Sequence, residues 1–183
     1  MENNLPNRKS LRLQHFDYNT SAMYYITICT KDRKCILSNI DEPVGDGALD
    51  VPKTRLTRIG KIIEKNLLSS EKISGVKIDQ YVIMPDHIHA IIFLLPNEHT
   101  NNPKELLMST HQGTSRAPSP TNKILPHIIS TFKRFCNKEI GDNIFQRGYY
   151  DHIIKNREDY DALRKYIYEN PIRWYYKKLY PEE

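Results

Sequence analysis

The chain has 183 residues, of which 39% are hydrophobic, and carries a net charge of +5 at pH 7. This length and composition predict a single folded domain with a hydrophobic core and argue against a disordered chain. No apolar run reaches membrane-spanning length, and the first residues lack the apolar centre of a secretory signal, so we expect a cytoplasmic protein. The three cysteines have no metal-ligand spacing and fit reduced thiols: Cys29, Cys35 and Cys136.

The positive charge is unevenly distributed along the chain. Residues 39–51 contain four acids and no base, so this segment contributes −4 and the rest of the chain carries +9. A basic surface of this kind fits a polyanionic partner such as nucleic acid. Ordinary solvated surface charge explains the same balance, so charge alone does not decide between the two.

The first half of the chain alternates between strand and helix patterns. β-branched and aromatic runs predict strands, and apolar residues at a spacing of three and four predict a helix. The predicted elements are a strand over 24–30, a turn at 31–34, a short strand at 35–37, a loop or small hairpin over 40–52, a helix over about 54–70, and two strands over 77–83 and 87–95.

The second half begins with a polar segment over 96–122, which we predict to be a mobile loop. A helix is predicted over about 123–140, followed over 144–154 by an aromatic turn that leads to a short strand. The last helix begins with Asn156 as its N-cap and is predicted to end near Asn170, because Pro171 disfavours helical geometry at the residue before it.

Two histidines lie two residues apart inside the second of the paired strands. Residues i and i+2 of a strand point to the same face, so His87 and His89 should project side by side. Two buried imidazoles cost free energy unless they are satisfied, and a divalent metal ion would satisfy both. Taken alone, such a pair is more often structural. Asp86 is expected to point away from the histidines and to shape the preceding turn.

The last helix carries two stripes of residues. Tyr160, Leu163 and Ile167 should face the core, and Ala162, Tyr166 and Asn170 form a neighbouring stripe at i, i+4 and i+8. Tyr168 points to another side of the helix and is expected to pack. Upstream of the helix, Tyr149 and Tyr150 are either structural or stack on a nucleobase.

Two segments resemble the REP-associated tyrosine transposases, within the single-tyrosine HUH (His-hydrophobic-His) superfamily: Met84-Pro85-Asp86-His87-Ile88-His89 and Tyr166-Ile167-Tyr168-Glu169-Asn170-Pro171. Three further matches occur in the same order: Tyr25-Ile26-Thr27-Ile28-Cys29-Thr30 with Arg33, Ser130-Thr131-Phe132-Lys133, and residues 146–156. The resemblance covers about residues 12–175 of the proposed single domain and is weakest over 39–51 and 96–122.

The resemblance implies an α+β fold of the HUH endonuclease type, with a ferredoxin-like antiparallel sheet and helices packed on one face. It also implies a metal site at His87 and His89 and a nucleophilic Tyr166. Asn170, one turn after Tyr166, is positioned to offer its amide oxygen as a third ligand. Two imidazoles and an amide suit manganese better than magnesium, although magnesium is abundant in cells and the phosphate supplies further oxygen ligands.

The implied activity is cleavage and rejoining of single-stranded DNA near a hairpin through a 5′-phosphotyrosine intermediate, by a nucleoid-associated enzyme. Five basic residues are candidates for binding the DNA phosphates, although each one alone fits an ordinary surface charge: Lys133, Arg134, Arg147, Lys155 and Arg157.

Two other functions fit the same residues. One is a zinc-dependent phosphodiester hydrolase that uses His87, His89 and Asp86 with a metal-bound water. The other is a hairpin-DNA-binding protein without catalytic activity. The sequence also leaves open a monomer or a homodimer, and therefore whether the tyrosine helix meets the histidines of its own chain or those of a second one.

Overall fold

A four-stranded antiparallel sheet forms the centre of the computed structural model, which describes residues 22–42, 52–95 and 124–180. The strands are β1 (Ala22–Cys29), β2 (Ser38–Ile40), β3 (Thr54–Leu56), β4 (Val76–Ile83), β5 (His87–Leu94) and β6 (Tyr150–Ile154). The helices are α1 (Arg58–Ser69), α2 (Ile124–Ile140) and α3 (Arg157–Leu179). The loop predicted over 96–122 lies outside the described residues, as does most of the acidic segment.

The order of the strands confirms the predicted fold class. In the main sheet the order is β4-β5-β1-β6, and every neighbouring pair is antiparallel. Helix α1 lies in the chain between β1 and β4, and α2 lies between β5 and β6, which is the βαββαβ arrangement of a ferredoxin-like fold. The short strands β2 and β3 pair with each other in a separate sheet. No helix among the described residues is both long enough and apolar enough to cross a membrane.

The two faces of the sheet are covered by different helices. On one face, the side chains of Tyr24, Ile26 and Ile28 join the main hydrophobic core, which also contains the apolar residues of α1 and α2. On the opposite face, Tyr25 and Ile167 belong to a smaller cluster to which α3 contributes the predicted stripe of Tyr160, Leu163 and Ile167. The expectation that the helices share one face therefore holds for α1 and α2, whereas α3 covers the other face. The histidines lie on that second face.

Helix α1 begins later than its sequence pattern predicts. Leu56 continues the helical spacing of the apolar residues in α1, but residues 54–56 form β3 and pair with β2. The predicted strand at 35–37 is correspondingly displaced to 38–40. Thr57 caps the helix, because its side chain accepts a hydrogen bond of 3.1 Å from the amide of Gly60.

The first turn of α1 makes a close backbone contact that requires glycine. A Cβ atom at Gly60 would lie 2.1 Å from the carbonyl oxygen of Leu37. The amide of Leu37 in turn donates a hydrogen bond of 2.9 Å to the carbonyl of Pro85. The start of α1 is thereby connected through Leu37 to the turn that precedes the histidines.

The prediction that the last helix ends near Asn170 is wrong, since α3 continues through Pro171 to Leu179. Proline has no N–H to donate to the carbonyl of Ile167 and restricts the residue before it, so the local preference is for a helix end. Burial of Asn170 and Pro171 on the helix overrides that preference. The predicted N-cap is confirmed, because Asn156 Oδ1 accepts a hydrogen bond of 2.8 Å from the amide of Asp159.

Candidate metal and nucleophile site

The two histidines lie side by side at the start of β5, as their spacing predicts. Their ring centroids are 4.6 Å apart. His87 is 7% exposed and His89 is 4% exposed, so both imidazoles are almost completely removed from water. Buried polar rings of this kind need partners for both of their nitrogens, and those partners define the site.

His87 is held by the carboxylate of Asp86. Oδ1 of Asp86 lies 2.5 Å from Nδ1 of His87, and Oδ2 lies 2.8 Å from Nε of Arg33. A neutral His87 therefore donates its Nδ1 hydrogen to Asp86 and keeps the lone pair on Nε2. The expectation that Asp86 points away from the histidines is wrong, because β5 begins at His87 and the alternation of a strand does not extend to the turn before it.

Arg33 reaches Asp86 from an unusual backbone conformation. Both Asp32 and Arg33 have φ of +56°, a region that side-chain-bearing residues seldom occupy. The same guanidinium donates through Nη1 to Sγ of Cys29 at 2.8 Å. Thr30 donates to the Asp86 carbonyl from its amide at 2.9 Å and from its hydroxyl at 3.0 Å, so the end of β1 fixes both the backbone and the side chain of Asp86.

His89 is oriented by two hydroxyl groups from β1. Its Nδ1 lies 2.7 Å from the Tyr25 hydroxyl and 2.9 Å from the Thr27 hydroxyl. Burial raises the pKa of Tyr25, which keeps this phenol neutral and suited to hydrogen bonding. The other nitrogen, Nε2 of His89, is buried and has no hydrogen-bond partner among the described residues.

The burial of both rings favours their neutral forms. Burial, with smaller contributions from the nearby His87 and Arg33, lowers the pKa of His89 to about 3. Burial also lowers the pKa of His87, although the hydrogen bond to Asp86 opposes this shift. Because a metal ligand must be the neutral imidazole, the site favours the protonation state that binds metal at neutral pH.

Helix α3 brings Tyr166 and Asn170 to the histidines of the same chain. The Tyr166 ring centroid lies 5.3 Å from that of His89, and the side chain is 37% exposed. Asn170 is 6% exposed and forms a side-chain hydrogen bond with His87. Since Nδ1 of His87 faces Asp86, the nitrogen available to Asn170 is Nε2. The stripe of residues predicted on the helix therefore meets the histidine pair.

These donors fit a divalent metal ion. The buried, unpartnered Nε2 of His89 is the main evidence, because an orphaned lone pair in the interior costs free energy that a metal bond would recover. Nε2 of His87 and the amide oxygen of Asn170 would complete a set of three protein ligands. In the described part of the chain, no three His, Cys, Asp or Glu residues are grouped as metal ligands, so the amide is needed as the third.

Comparison with other proteins places the chain in a family. No protein-family model matches it. An uncharacterised protein of Haemophilus influenzae is 30% identical over 182 residues, which cover 94% of this chain and 93% of that protein. The chain belongs to the same family as this protein.

Two solved structures are similar to this chain to different degrees. The structure of a REP-associated tyrosine transposase bound to a REP hairpin is similar to this chain with a TM-score of 0.56 and 17% identity, over 91% of this chain and 74% of that one. The structure of a candidate transposase from Deinococcus radiodurans is more distant, with a TM-score of 0.44 and 12% identity over 87% of this chain and 96% of that one. The first likeness shows that the chain has the fold of that transposase.

The other tyrosines considered from the sequence lie in different surroundings. Tyr168 points away from the site but is 61% exposed, so the expectation that it packs is wrong. Tyr149 is half-buried against the main core, whereas Tyr150 is 49% exposed and lies edge-on to Tyr25. Tyr25 itself is 6% exposed and occupied with His89. Of these phenols, Tyr166 combines exposure with a ring contact to His89.

Lys133 has an intramolecular role in the structure. Its ammonium donates to the carbonyls of Gln146 at 2.8 Å and Gly148 at 2.7 Å. Burial lowers the pKa of Lys133 to about 8. Its ammonium thus holds the loop that runs along the end of β1 towards β6, where Gln146 donates to the Cys29 carbonyl.

The remaining basic candidates are spread over the surface. Arg134 lies over the Phe135 ring at 5.2 Å, and Arg157 donates to Asp161 at 2.8 Å. Arg147 and Lys155 are exposed, in the loop before β6 and directly after β6 respectively. The structure therefore brings the histidines, Tyr166 and Asn170 together, whereas Lys133, Arg134 and Arg157 contact other groups of the chain.

Proposed function

We propose that this protein is a metal-dependent tyrosine transposase that cleaves and rejoins single-stranded DNA beside a hairpin. The observation that carries the proposal is the position of Tyr166, an accessible phenol whose ring lies 5.3 Å from the buried and neutral His89. The fold shared with a transposase that was solved on a REP hairpin supports the same substrate. DNA is thus the proposed partner of the chain.

The proposed reaction transfers a DNA strand to the protein and back. The Tyr166 oxygen attacks the scissile phosphorus and its proton passes to water, while the bond from phosphorus to the 3′ oxygen breaks. The 3′ oxygen takes a proton from water, which leaves a 3′ hydroxyl and a 5′-phosphotyrosine. Attack by a 3′ hydroxyl on that phosphotyrosine rejoins a strand and restores the phenol. The energy of the original bond is kept in the intermediate, so ATP is not required.

The buried side chains prepare the site for this reaction. His87, His89 and Asn170 would hold a magnesium or manganese ion, which withdraws charge from the non-bridging phosphate oxygens and orients the scissile group. Asp86 fixes the ring of His87, and Tyr25 with Thr27 fixes that of His89. This support leaves the unpartnered Nε2 of His89 available to a ligand, whereas a metal ion at Nε2 of His87 would replace the hydrogen bond to Asn170.

Two alternative functions receive less support from the geometry. A zinc hydrolase would need Asp86 as a ligand, but both of its carboxylate oxygens are already bound, by His87 and by Arg33. A DNA-binding protein without activity would not require the exposed Tyr166 beside the unpartnered Nε2 of His89. The transposase chemistry uses all four side chains in the positions where they lie.

A covalent adduct tests the proposal directly. The protein would be incubated with single-stranded DNA that flanks its own locus and contains a hairpin, with manganese, with magnesium or with EDTA. We expect a protein–DNA adduct that survives denaturation, forms only with metal and disappears in Tyr166→Phe, while that variant still binds the DNA. Tyr168→Phe is the matched control on the same helix. An undiminished adduct in Tyr166→Phe, or cleavage with no adduct in the wild type, would exclude this mechanism.

A further inference from the structure

A continuous row of aromatic rings runs through the site. Its order is Tyr150, Tyr25, His89, His87 and Trp174, with successive centroid distances of 6.5, 5.4, 4.6 and 5.9 Å. The middle three rings are at most 7% exposed. The centre of the row is therefore buried and forms the candidate metal site, whereas its two ends are more exposed.

Both ends of the row are accessible to solvent. Tyr150 is 49% exposed, and Trp174 is partly exposed. Tyr150 pairs across the sheet with Thr27, whose other neighbour is His89, so it lies on the face that carries the site. Trp174 lies one helical turn after Asn170 and extends the stripe that begins at Tyr166. The two rings therefore flank the histidines from opposite sides.

We propose that Trp174 and Tyr150 are stacking platforms for the two nucleobases on either side of the cleaved phosphate. This inference rests on the proposed function and assigns it a base-binding subsite. Large aromatic rings kept partly in water beside a polar site lose the benefit of burial, and a nucleobase would restore it by stacking. Every base offers a π face, so the two platforms would hold single-stranded DNA with little regard to sequence.

The surface beyond Trp174 suits a nucleic-acid backbone. Lys177 and Lys178 follow at i+3 and i+4 and are both exposed. Exposed lysines on the same side of the helix would neutralise phosphates that leave the site in this direction. On this reading the part of α3 that lies after Pro171 is a DNA-binding extension of the catalytic helix.

The chain offers a direct reporter, because Trp174 is its single tryptophan. The intrinsic fluorescence of the protein would be titrated in EDTA, where no cleavage occurs, with a mixed-sequence single-stranded oligonucleotide. An abasic oligonucleotide of equal length is the control ligand, and the anisotropy of a labelled strand measures binding separately. We expect the normal oligonucleotide to quench the tryptophan emission and the abasic one to leave it nearly unchanged.

Substitutions separate stacking from simple packing. Trp174→Leu and Tyr150→Leu should each weaken oligonucleotide binding by about tenfold, since a base stacked on an aromatic ring contributes on the order of 1–3 kcal/mol. Trp174→Phe and Tyr150→Phe keep a ring and should stay within about twofold of the wild type. Tyr168→Leu removes a tyrosine that is 61% exposed on the same helix and should have no effect. Thermal unfolding of each variant checks that the fold is intact.

The possible outcomes distinguish this inference from the function on which it rests. Binding of the oligonucleotide without quenching, together with wild-type affinity in both leucine variants, would overturn the stacking subsite and leave the transposase proposal standing. Failure of the wild type to bind either oligonucleotide would overturn both. Equal quenching by the normal and abasic strands would show that the emission responds to phosphate binding, and would also reject base stacking on Trp174.

Discussion

The carboxylate of Asp86 and the Nδ1 atom of His87, adjacent in sequence, lie 2.5 Å apart in the interior. The carboxylate is 6% exposed and receives its second bond from Arg33. A buried anion in this position fixes the imidazole with its hydrogen on Nδ1 and raises the basicity of Nε2. In the proposed function, Asp86 would therefore prepare His87 for a metal ion without being a ligand itself.

Replacing Asp86 tests this relationship. Asp86→Asn removes the charge at nearly constant shape, so we expect the affinity for manganese to fall by about 10- to 100-fold, as is usual when the partner of a metal-binding histidine is lost. Isothermal titration of the metal-free protein with manganese measures the change. Asp161→Asn, which removes an exposed carboxylate bonded to Arg157, is the matched control. Equal affinities in the two variants would deny Asp86 this role.

Because Tyr166 and the histidines meet in one chain, inactive variants should not rescue each other. Tyr166→Phe lacks the proposed nucleophile and His89→Gln lacks a proposed metal ligand, so a mixture of the two should form no covalent adduct with single-stranded DNA. A site shared between two chains would instead form one intact centre in each mixed dimer. Adduct formation by the mixture, compared with an equal amount of wild type, decides between these arrangements.

The stability of the metal-free protein should decrease in mild acid. Burial lowers the pKa of His89 from 6.5 to about 3. Between pH 6.5 and pH 3, His89 is therefore protonated in the unfolded chain but neutral in the folded one. The stability contributed by neutral His89 is complete above pH 6.5 and is lost as the pH falls, by up to about 1.4 kcal/mol per pH unit.

Urea unfolding in EDTA at several values between pH 7.5 and pH 4.5 measures this loss. The difference in stability between the wild type and His89→Gln should shrink as the pH falls, because glutamine does not take up a proton on unfolding. His152→Gln changes a histidine that is 37% exposed and bonded to Asp159, and it should retain the steep decline that His89 causes. Parallel curves for wild type and His89→Gln would contradict the assignment.

The contact between Gly60 and Leu37 predicts a strong effect of one methyl group. In Gly60→Ala the new Cβ atom would lie 2.1 Å from a backbone oxygen that cannot turn away, so we expect a loss of about 1–3 kcal/mol in the free energy of unfolding. Urea denaturation measures it. Gly141→Ala is a useful comparison, because that position has free space but a φ of +85° and should lose about 1 kcal/mol. A larger effect at Gly141 would contradict the clash.

Regular elements were predictable wherever one pattern dominated the sequence. The β-branched and aromatic runs of β1, β4 and β5 and the apolar stripe of α2 predict these elements to within two residues of their bounds. The common face of His87 and His89 follows from strand geometry alone. The start of α1 was misplaced because Leu56, Ile59 and Ile63 share a helical spacing, although Leu56 pairs with a strand.

The supporting side chains of the site were harder to predict, because each depends on a non-local contact. Asp86 lies in a turn, where residue alternation says nothing of direction. Arg33 reaches it from a left-handed backbone conformation that its sequence does not reveal. Trp174 continues the spacing of Tyr166 and Asn170 in the sequence. Pro171, which lies between Asn170 and Trp174, nevertheless indicated that the helix ends before Trp174. In each of these three places, contacts with distant parts of the chain outweigh the local sequence preference.

The presence of one phenol and both histidines in a single chain has a kinetic consequence. For a protein acting as proposed, each molecule can hold one strand end at a time, since Tyr166 is the one described tyrosine that is both exposed and beside His89. Cutting should then be first order in protein. Releasing both ends of a segment at once requires two molecules on the same DNA, so that step should rise with the square of the concentration. Because α3 packs on the sheet of its own chain, a single molecule would be enough to nick the DNA. Complete excision would instead depend on the concentration of the protein.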